Sequence, residues 1–400
     1  MIGIGKYTGE MAEWLASQGH QVRVVTAPPY YPMWQISSEY GRWVYSRENL
    51  KGVQVYRCPL WVPSIPSGLT RVLHLASFAI SSSWLLVWQG IRWRPDLVWV
   101  VEPPFLTAPA AWISAKFASC RTWLHVQDFE IDAAFDLKIV NLRWARRFVA
   151  TVEQWIMKLF DDVSTISHPM LERLIAKGLT KQRCVYFPNW IDTSLIYPLE
   201  GPSPLRRELG IPIGDTVALY SGNMGEKQGL EILVEAARQL VKEKSHWFIF
   251  CGDGAARSKI QRLASGLPNV QFLPLQSPDR LNQLLNFADV HLLPQREGVA
   301  NLVLPSKLMG MLASGRPVVA VTCHDTPVAR IVERCGVVVP PNDACTLVEA
   351  IKTLIEDERG RKVLGEAGRT YVMQHWEKEN VLKQFHADLC QSLQEKSDQL

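Results

Sequence analysis

The residues best suited to chemistry lie late in the chain, at Pro305-Ser306-Lys307. They follow the apolar run Leu302-Val303-Leu304 and open a short helical pattern. Gly315 stops that pattern before a second apolar run begins at Val318. A helix that starts at Pro305-Ser306 points unpaired backbone N–H groups beyond the end of the preceding strand, and Lys307 adds a mobile positive charge there. That combination suits a diphosphate; the alternative is an ordinary βαβ corner with a solvated lysine. Two earlier turns have related chemistry. Gly222-Asn223-Met224-Gly225-Glu226-Lys227-Gln228-Gly229 lies between an apolar strand and a helix. Its glycines let the backbone approach phosphate oxygens, and Lys227 can neutralise them. Gly252-Asp253-Gly254 closes the next strand. Either turn could also be a βα connection with no ligand.

These turns need strands and helices in alternation. The sequence predicts a loop at Gly3-Ile4-Gly5-Lys6-Tyr7-Thr8, a helix over Thr8–Ser17 and a buried strand at Val22–Thr26. A strand is expected before Gly3, because strand one is central in a doubly wound sheet, and none is present. Strands follow at Val53–Arg57, 96–101, Arg121–Val126, Val163–Ser167 and Arg183–Phe187, with helices at Leu69–Arg92, 107–118, 140–160 and 169–177. Pro198–Pro204 reads as a linker. Beyond it come strands at Val217–Tyr220, Trp247–Phe250, Val270–Leu273, Val290–Leu293, Val318–Val321 and Val337–Val339, then helices at 345–356, 360–375 and 378–394. The alternation occurs twice. The expected fold is therefore α/β, with two Rossmann-like domains over 1–195 and 205–375 and a terminal helix over 376–400 that can cross back to the first.

A chain of 400 residues with 47% hydrophobic and 20% charged residues is globular and long enough for two cores. Its net charge of +4 is uneven: residues 1–190 carry 20 Lys+Arg and 14 Asp+Glu, residues 191–400 carry 23 and 25. A basic first half suits an anionic surface, and with no nucleic-acid-binding motif a membrane face is the better match. No leader is expected after Met1. The eight cysteines form no Cys-x-x-Cys pair and read as reduced thiols of a cytoplasmic protein. Leu73–Trp88 is apolar apart from His74 and four serines, too short at 16 residues to span a bilayer, and reads as a buried or interfacial helix. Asn141–Lys158 mixes cations with large apolar residues at helical spacing, which fits either a leaflet-bound helix or a core helix with a basic outer side.

The order of Gly3-Ile4-Gly5, Gly19-His20-x-Val22, Pro188-Asn189, Gly222…Lys227-x-Gly229, Gly252-Asp253-Gly254 and Ala313-Ser-Gly-Arg-Pro-Val-Val319 resembles glycosyltransferase family 4 over essentially the whole chain. The resemblance is strongest to bacterial exopolysaccharide members of colanic-acid type. It implies a GT-B fold, two Rossmann-like domains facing a cleft, and sugar transfer from a nucleotide sugar with retention of configuration. It also implies no metal and no cofactor beyond the GDP- or UDP-linked co-substrate. The chain has no Asp-x-Asp. The leaving diphosphate would then meet Lys227, Lys307 and the helix start at Pro305-Ser306. Gly222, Asn223 and Gly252 would also contact the donor, and Gly3 and Gly5 would contribute backbone amides. Asp128, at the strand end Gln127-Asp128, would orient the sugar or an acceptor hydroxyl, or else cap the next turn; Glu130 and Asp132 are further candidates. Many members carry Glu-x7-Glu before the Ala-x-Gly-x-Pro run. Here Gly310 stands at the second position, and Glu297 either touches the donor or forms a solvated pair with Arg296.

The expected partners are a nucleotide-sugar donor, a lipid-linked saccharide acceptor, with fucose as the transferred sugar, and the cytoplasmic face of the inner membrane, with no nucleic acid. Two other readings remain open at this point. One is a GT-B epimerase of nucleotide sugars; the other is an inactive member, given the missing first strand.

Overall fold

In the computed structural model, the described residues are 4–31, 33–64, 68–130, 143–243, 245–296 and 304–397. The chain forms two compact units, residues 1–188 with 382–400, and residues 189–381.

The first unit opens with helix α1, Ile4–Ser17, which buries Met11, Ala12 and Leu15. The helix begins four residues earlier than the sequence predicts. Gly5 therefore lies in its first turn, not in a loop, and open space surrounds its Cα. Strands β1 (Arg23–Thr26), β2 (Ser46–Leu50) and β3 (Val53–Arg57) form a sheet in the order β1-β3-β2. A second, parallel sheet has the order β4-β5-β6-β7, from Leu97–Glu102, Arg121–Val126, Asp162–Thr165 and Cys184–Tyr186. Among the described residues of this unit, two separate sheets thus stand in place of one continuous sheet.

Helices α2 (Gly68–Arg92) and α3 (Ala108–Ala118) pack on each other. Gly90 makes that contact possible: a Cβ there would stand 2.3 Å from the Ser114 carbonyl oxygen. The core beneath β4–β6 holds Phe105, Leu124, Val126, Met157 and Phe160. Helix Arg143–Leu159 turns Glu153, Ile156 and Met157 inward and leaves Phe148 and Trp155 exposed. Buried Glu153 is matched by Lys177, 2.5 Å away, so the charge pair is taken out of water together. The terminal helix Lys378–Ser397 contributes its residues from Leu382 onward to this unit. Phe385 stacks on Phe187 at 4.1 Å, and the Ser392 hydroxyl donates to Asp162 at 2.5 Å.

The second unit holds one parallel six-stranded sheet. Its strands are β8 (Thr216–Ser221), β9 (His246–Cys251), β10 (Val270–Leu273), β11 (Val290–Pro294), β12 (Val318–Val321) and β13 (Gly336–Val339), in the order β10-β9-β8-β11-β12-β13. Its strands are apolar almost throughout, because helices cover both faces. Chain direction across the sheet reverses between β8 and β11, so the crevice outside their carboxyl ends is the switch point where ligands bind in such sheets. The stretch expected to be a linker is tied to this unit. The Asn282 and Asn286 side chains accept from the backbone N–H groups of Tyr197 and Leu199 at 3.0 and 2.9 Å. Arg369 donates to the carbonyls of Ile196 and Ala313 at 2.7 and 2.9 Å.

Candidate active site

Three chain segments meet at the switch point of the second unit. After β8 comes the Gly222–Gly229 loop, after β9 the Gly252–Gly254 turn, and beside them lies the start of helix Ser306–Ala313. The first two are laced together. The Gly222 N–H donates to Cys251 O at 2.9 Å, Met224 N–H to Asp253 O at 2.8 Å and Ala256 N–H to Met224 O at 2.8 Å. Gly252 has φ +139°, and a Cβ there would lie 2.0 Å from the Gly222 carbonyl oxygen, so only glycine permits this approach.

Lys307 sits over the seam. Its Cδ packs against Gly222, 3.5 Å from where a Cβ on that glycine would be. Its ammonium lies 4.5 Å from the centre of the Tyr220 ring, 3.4 Å from the Tyr220 hydroxyl and 3.2 Å from Gln228 Oε1. The Tyr220 hydroxyl donates to Asn223 O at 2.6 Å, which leaves its oxygen lone pairs toward the ammonium. Burial lowers the Lys307 pKa to about 7. The partners described are an aromatic face, a phenol and an amide, which solvate a cation without neutralising it. A diphosphate would supply the missing counter-charge.

Around it, Ser306 is exposed at the first position of its helix, behind Pro305, whose backbone is extended. Free amides at that position and an exposed Asn223 border the same crevice. Lys227 lies in a 3-10 turn, Glu226–Gln228, with its side chain exposed and its carbonyl accepting from Arg296 N–H at 3.2 Å. Beneath the turn, Glu231 binds both Lys259 and Arg296 at 2.7 Å, which fixes the loop from below. Glu297 lies outside the described residues, as do Gly3 and Asp132. Gly310 is buried against Leu285, so the position that the Glu-x7-Glu pattern would fill is a packing position here.

In the first unit, Asp128 is exposed just past the end of β5. His125, two residues earlier, is a structural group. Its Nδ1 lies 2.8 Å from Ser164 Oγ, its Nε2 2.9 Å from Gln127 Nε2, and its ring stacks on Trp99 at 5.3 Å. Burial holds its pKa down at about 3, so it stays neutral and takes no proton from a substrate at ordinary pH. Glu130 accepts the Phe105 N–H at 2.9 Å, and burial raises its carboxyl.

Three residues escaped the sequence reading. Tyr220 and Gln228 hold the Lys307 ammonium, and their only sequence signal is position, at the end of β8 and inside the glycine loop. Glu102 is fully buried at the end of β4; burial first, then the charges of Glu153 and Glu130, push its carboxyl well above the usual range. A carboxylate directly after the apolar run Leu97–Val101 was the available signal. Among the described residues no three His, Cys, Asp or Glu side chains cluster as metal ligands, and all eight cysteines are free thiols.

Residues 3–190 match the family model "Glycosyl transferase 4-like domain", and residues 215–357 match "Glycosyl transferases group 1". The chain is 40% identical over 399 residues to the "Putative colanic acid biosynthesis glycosyl transferase WcaI" of Escherichia coli K12, covering 97% of this chain and 96% of that protein. Among solved structures, a sucrose-phosphate synthase from Thermosynechococcus elongatus superposes with TM-score 0.75 at 18% identity, covering 98% of this chain and 93% of that one. Anabaena HepE in complex with UDP and glucose superposes with TM-score 0.67 at 16% identity, covering 98% and 96%. The chain is a glycosyltransferase of family 4, with the GT-B fold of two Rossmann-like units.

Proposed function

We propose that this glycosyltransferase moves a hexose or deoxyhexose, fucose for a colanic-acid-type product, from a GDP- or UDP-sugar to a lipid-linked saccharide. The reaction runs with retention and without a divalent ion, in the cytoplasm at the membrane face. The observation that carries this reading is Lys307. An ammonium is held at the switch point of the second unit by a phenol and an amide, with its pKa lowered by burial. Such a cation is poised for an anion. The relatives supply the chemistry: WcaI is named for colanic acid biosynthesis, and HepE was crystallised with UDP and glucose.

In the proposed reaction the donor diphosphate lies on Lys307, the amides at Ser306 and the Gly222–Asn223 backbone, with Lys227 reaching it from the exposed turn. Gly252 lets the two loops close up beneath. As the glycosidic bond breaks, negative charge grows on the diphosphate, and these groups stabilise it most when it is largest. Attack from the same face lets the departing diphosphate take the acceptor proton. The protein then needs no strong base, and Asp128 acts by orienting the hydroxyl.

The test is a titration of UDP-, GDP- and ADP-sugars against the purified full chain, followed by incubation with lipid-linked saccharide. One UDP- or GDP-sugar is expected to raise the Tm and to yield a glycosylated lipid. A free nucleotide sugar with an inverted ring carbon as the product, or no Tm shift with any donor, would overturn the reading.

A further inference from the structure

Helix α2 is built inside out. Its 25 residues are long and apolar enough to cross a bilayer, the one such helix among the described residues. Yet its polar residues face inward. His74 Nδ1 lies 2.6 Å from Trp61 O, the Trp61 N–H donates to Ser77 Oγ at 3.0 Å, and Ser81 Oγ donates to Pro59 O at 2.6 Å. Near its end Gln89 accepts from Arg23 at 2.6 Å. Of the polar residues that interrupt the apolar run, His74, Ser77 and Ser81 are therefore the ones that fasten the helix to its unit. Leu69, Leu73, Ile80, Trp84, Trp88 and Ile91 are exposed, and at 100° per residue they fall on one stripe. Ile80 is 76% exposed and Trp84 69%. A soluble helix normally has the reverse arrangement.

The stripe does not end with α2. Ile113 and Phe117 on the adjoining α3 are exposed as well. From residue 49 to residue 95 the sequence contains no Asp or Glu. Of the five cations there, Lys51 and Arg57 pair with Glu13 and Glu48, and Arg71, Arg92 and Arg94 are exposed at the two ends of the helix. Indole rings on an apolar face with guanidinium groups at its borders match the boundary between acyl chains and anionic headgroups.

We propose that the outer face of α2, continued by α3, docks this enzyme on an anionic phospholipid bilayer, lying on the surface without crossing it. A spanning α2 would have to tear its inner hydrogen bonds out of the unit and leave His74 and Gln89 in hydrocarbon. The proposal rests on the proposed function only for the lipid nature of the acceptor; the surface stands on its own geometry.

The test is flotation of the full chain with phosphatidylcholine vesicles, with and without phosphatidylglycerol. The wild type is expected to float with the phosphatidylglycerol vesicles, and less so as salt is raised, because exposed cations are screened. Ile80→Asp with Trp84→Asp should weaken that binding by roughly 100-fold or more. Both positions are exposed, so the fold should survive, and donor binding in solution should match the wild type. Wild type that binds its donor yet floats with neither vesicle overturns the docking surface. So does a wild-type dimer that the double substitution splits into monomers, since a second copy would then cover the face. Wild type that floats but binds no nucleotide sugar overturns the proposed function and leaves the surface standing.

Discussion

Replacing Lys307 by methionine is expected to lower turnover by about 10²–10³-fold, the range seen when one preorganised charge-stabilising group is removed. Methionine keeps an apolar stem over Gly222 and the Tyr220 ring, so the loss reports charge and not packing. The fold should not suffer. Burial lowers the Lys307 pKa, so the folded state disfavours the charged form, and deleting the charge removes a cost. The sign follows from proton binding. Between about 7 and 10.5 the unfolded chain holds a proton on this lysine that the folded chain has released, so wild-type stability rises with pH across that window. The methionine variant should therefore match or exceed the wild-type Tm at pH 6, with the difference narrowing above pH 7. Lys227→Ala should cost less, about tenfold, because Lys227 is exposed and its charge is screened by water. Wild-type turnover in both variants would remove the phosphate clamp.

The second large effect is on pH. Only the protonated Lys307 offers a full charge to the diphosphate, and its pKa in the free protein is about 7. Donor affinity should be flat below that value and fall roughly tenfold per unit above it, about 100-fold between pH 7 and 9. The groups facing the ammonium do not titrate in this window. Burial raises the Tyr220 hydroxyl, which stays neutral, and Gln228 carries no charge. Calorimetry across pH 6–9 would show the break, and in buffers of different ionisation enthalpy it would show proton uptake as donor binds. In Lys307→Met the break should vanish. A wild-type affinity that holds constant to pH 9 would mean that this lysine does not carry the clamp.

The architecture was legible because most strands are short apolar runs closed by a Gly- or Pro-rich turn, and periodicity reports that locally; β2, Ser46–Leu50, is polar and exposed and was not expected. The switch point was legible for the same reason, since its glycine turns mark strand ends. The setting of Lys307 was not. Its ammonium is held by Tyr220, 87 residues earlier, and Gln228, 79 residues earlier, and a chain pattern carries no such pairing. His125 shows the converse. Beside Gln127-Asp128 it invites a catalytic reading, but Ser164 and Trp99 on the neighbouring strands make it a neutral core group. The start of α1 misled because a glycine pair reads as a loop, whereas Gly5 at a first turn sacrifices little helix stability. In α2 the composition identified an apolar helix, but only the packing showed that His74, Ser77 and Ser81 bond inward.

The central claim is that lysine charge and backbone amides replace a divalent ion at the leaving group. The most direct measurement is the rate of sugar transfer in excess chelator, compared with the rate after manganese or magnesium is added back. The account predicts the same rate in both to within about twofold, since no step draws on a metal as Lewis acid. Activity that vanishes with chelator and returns with manganese would contradict it.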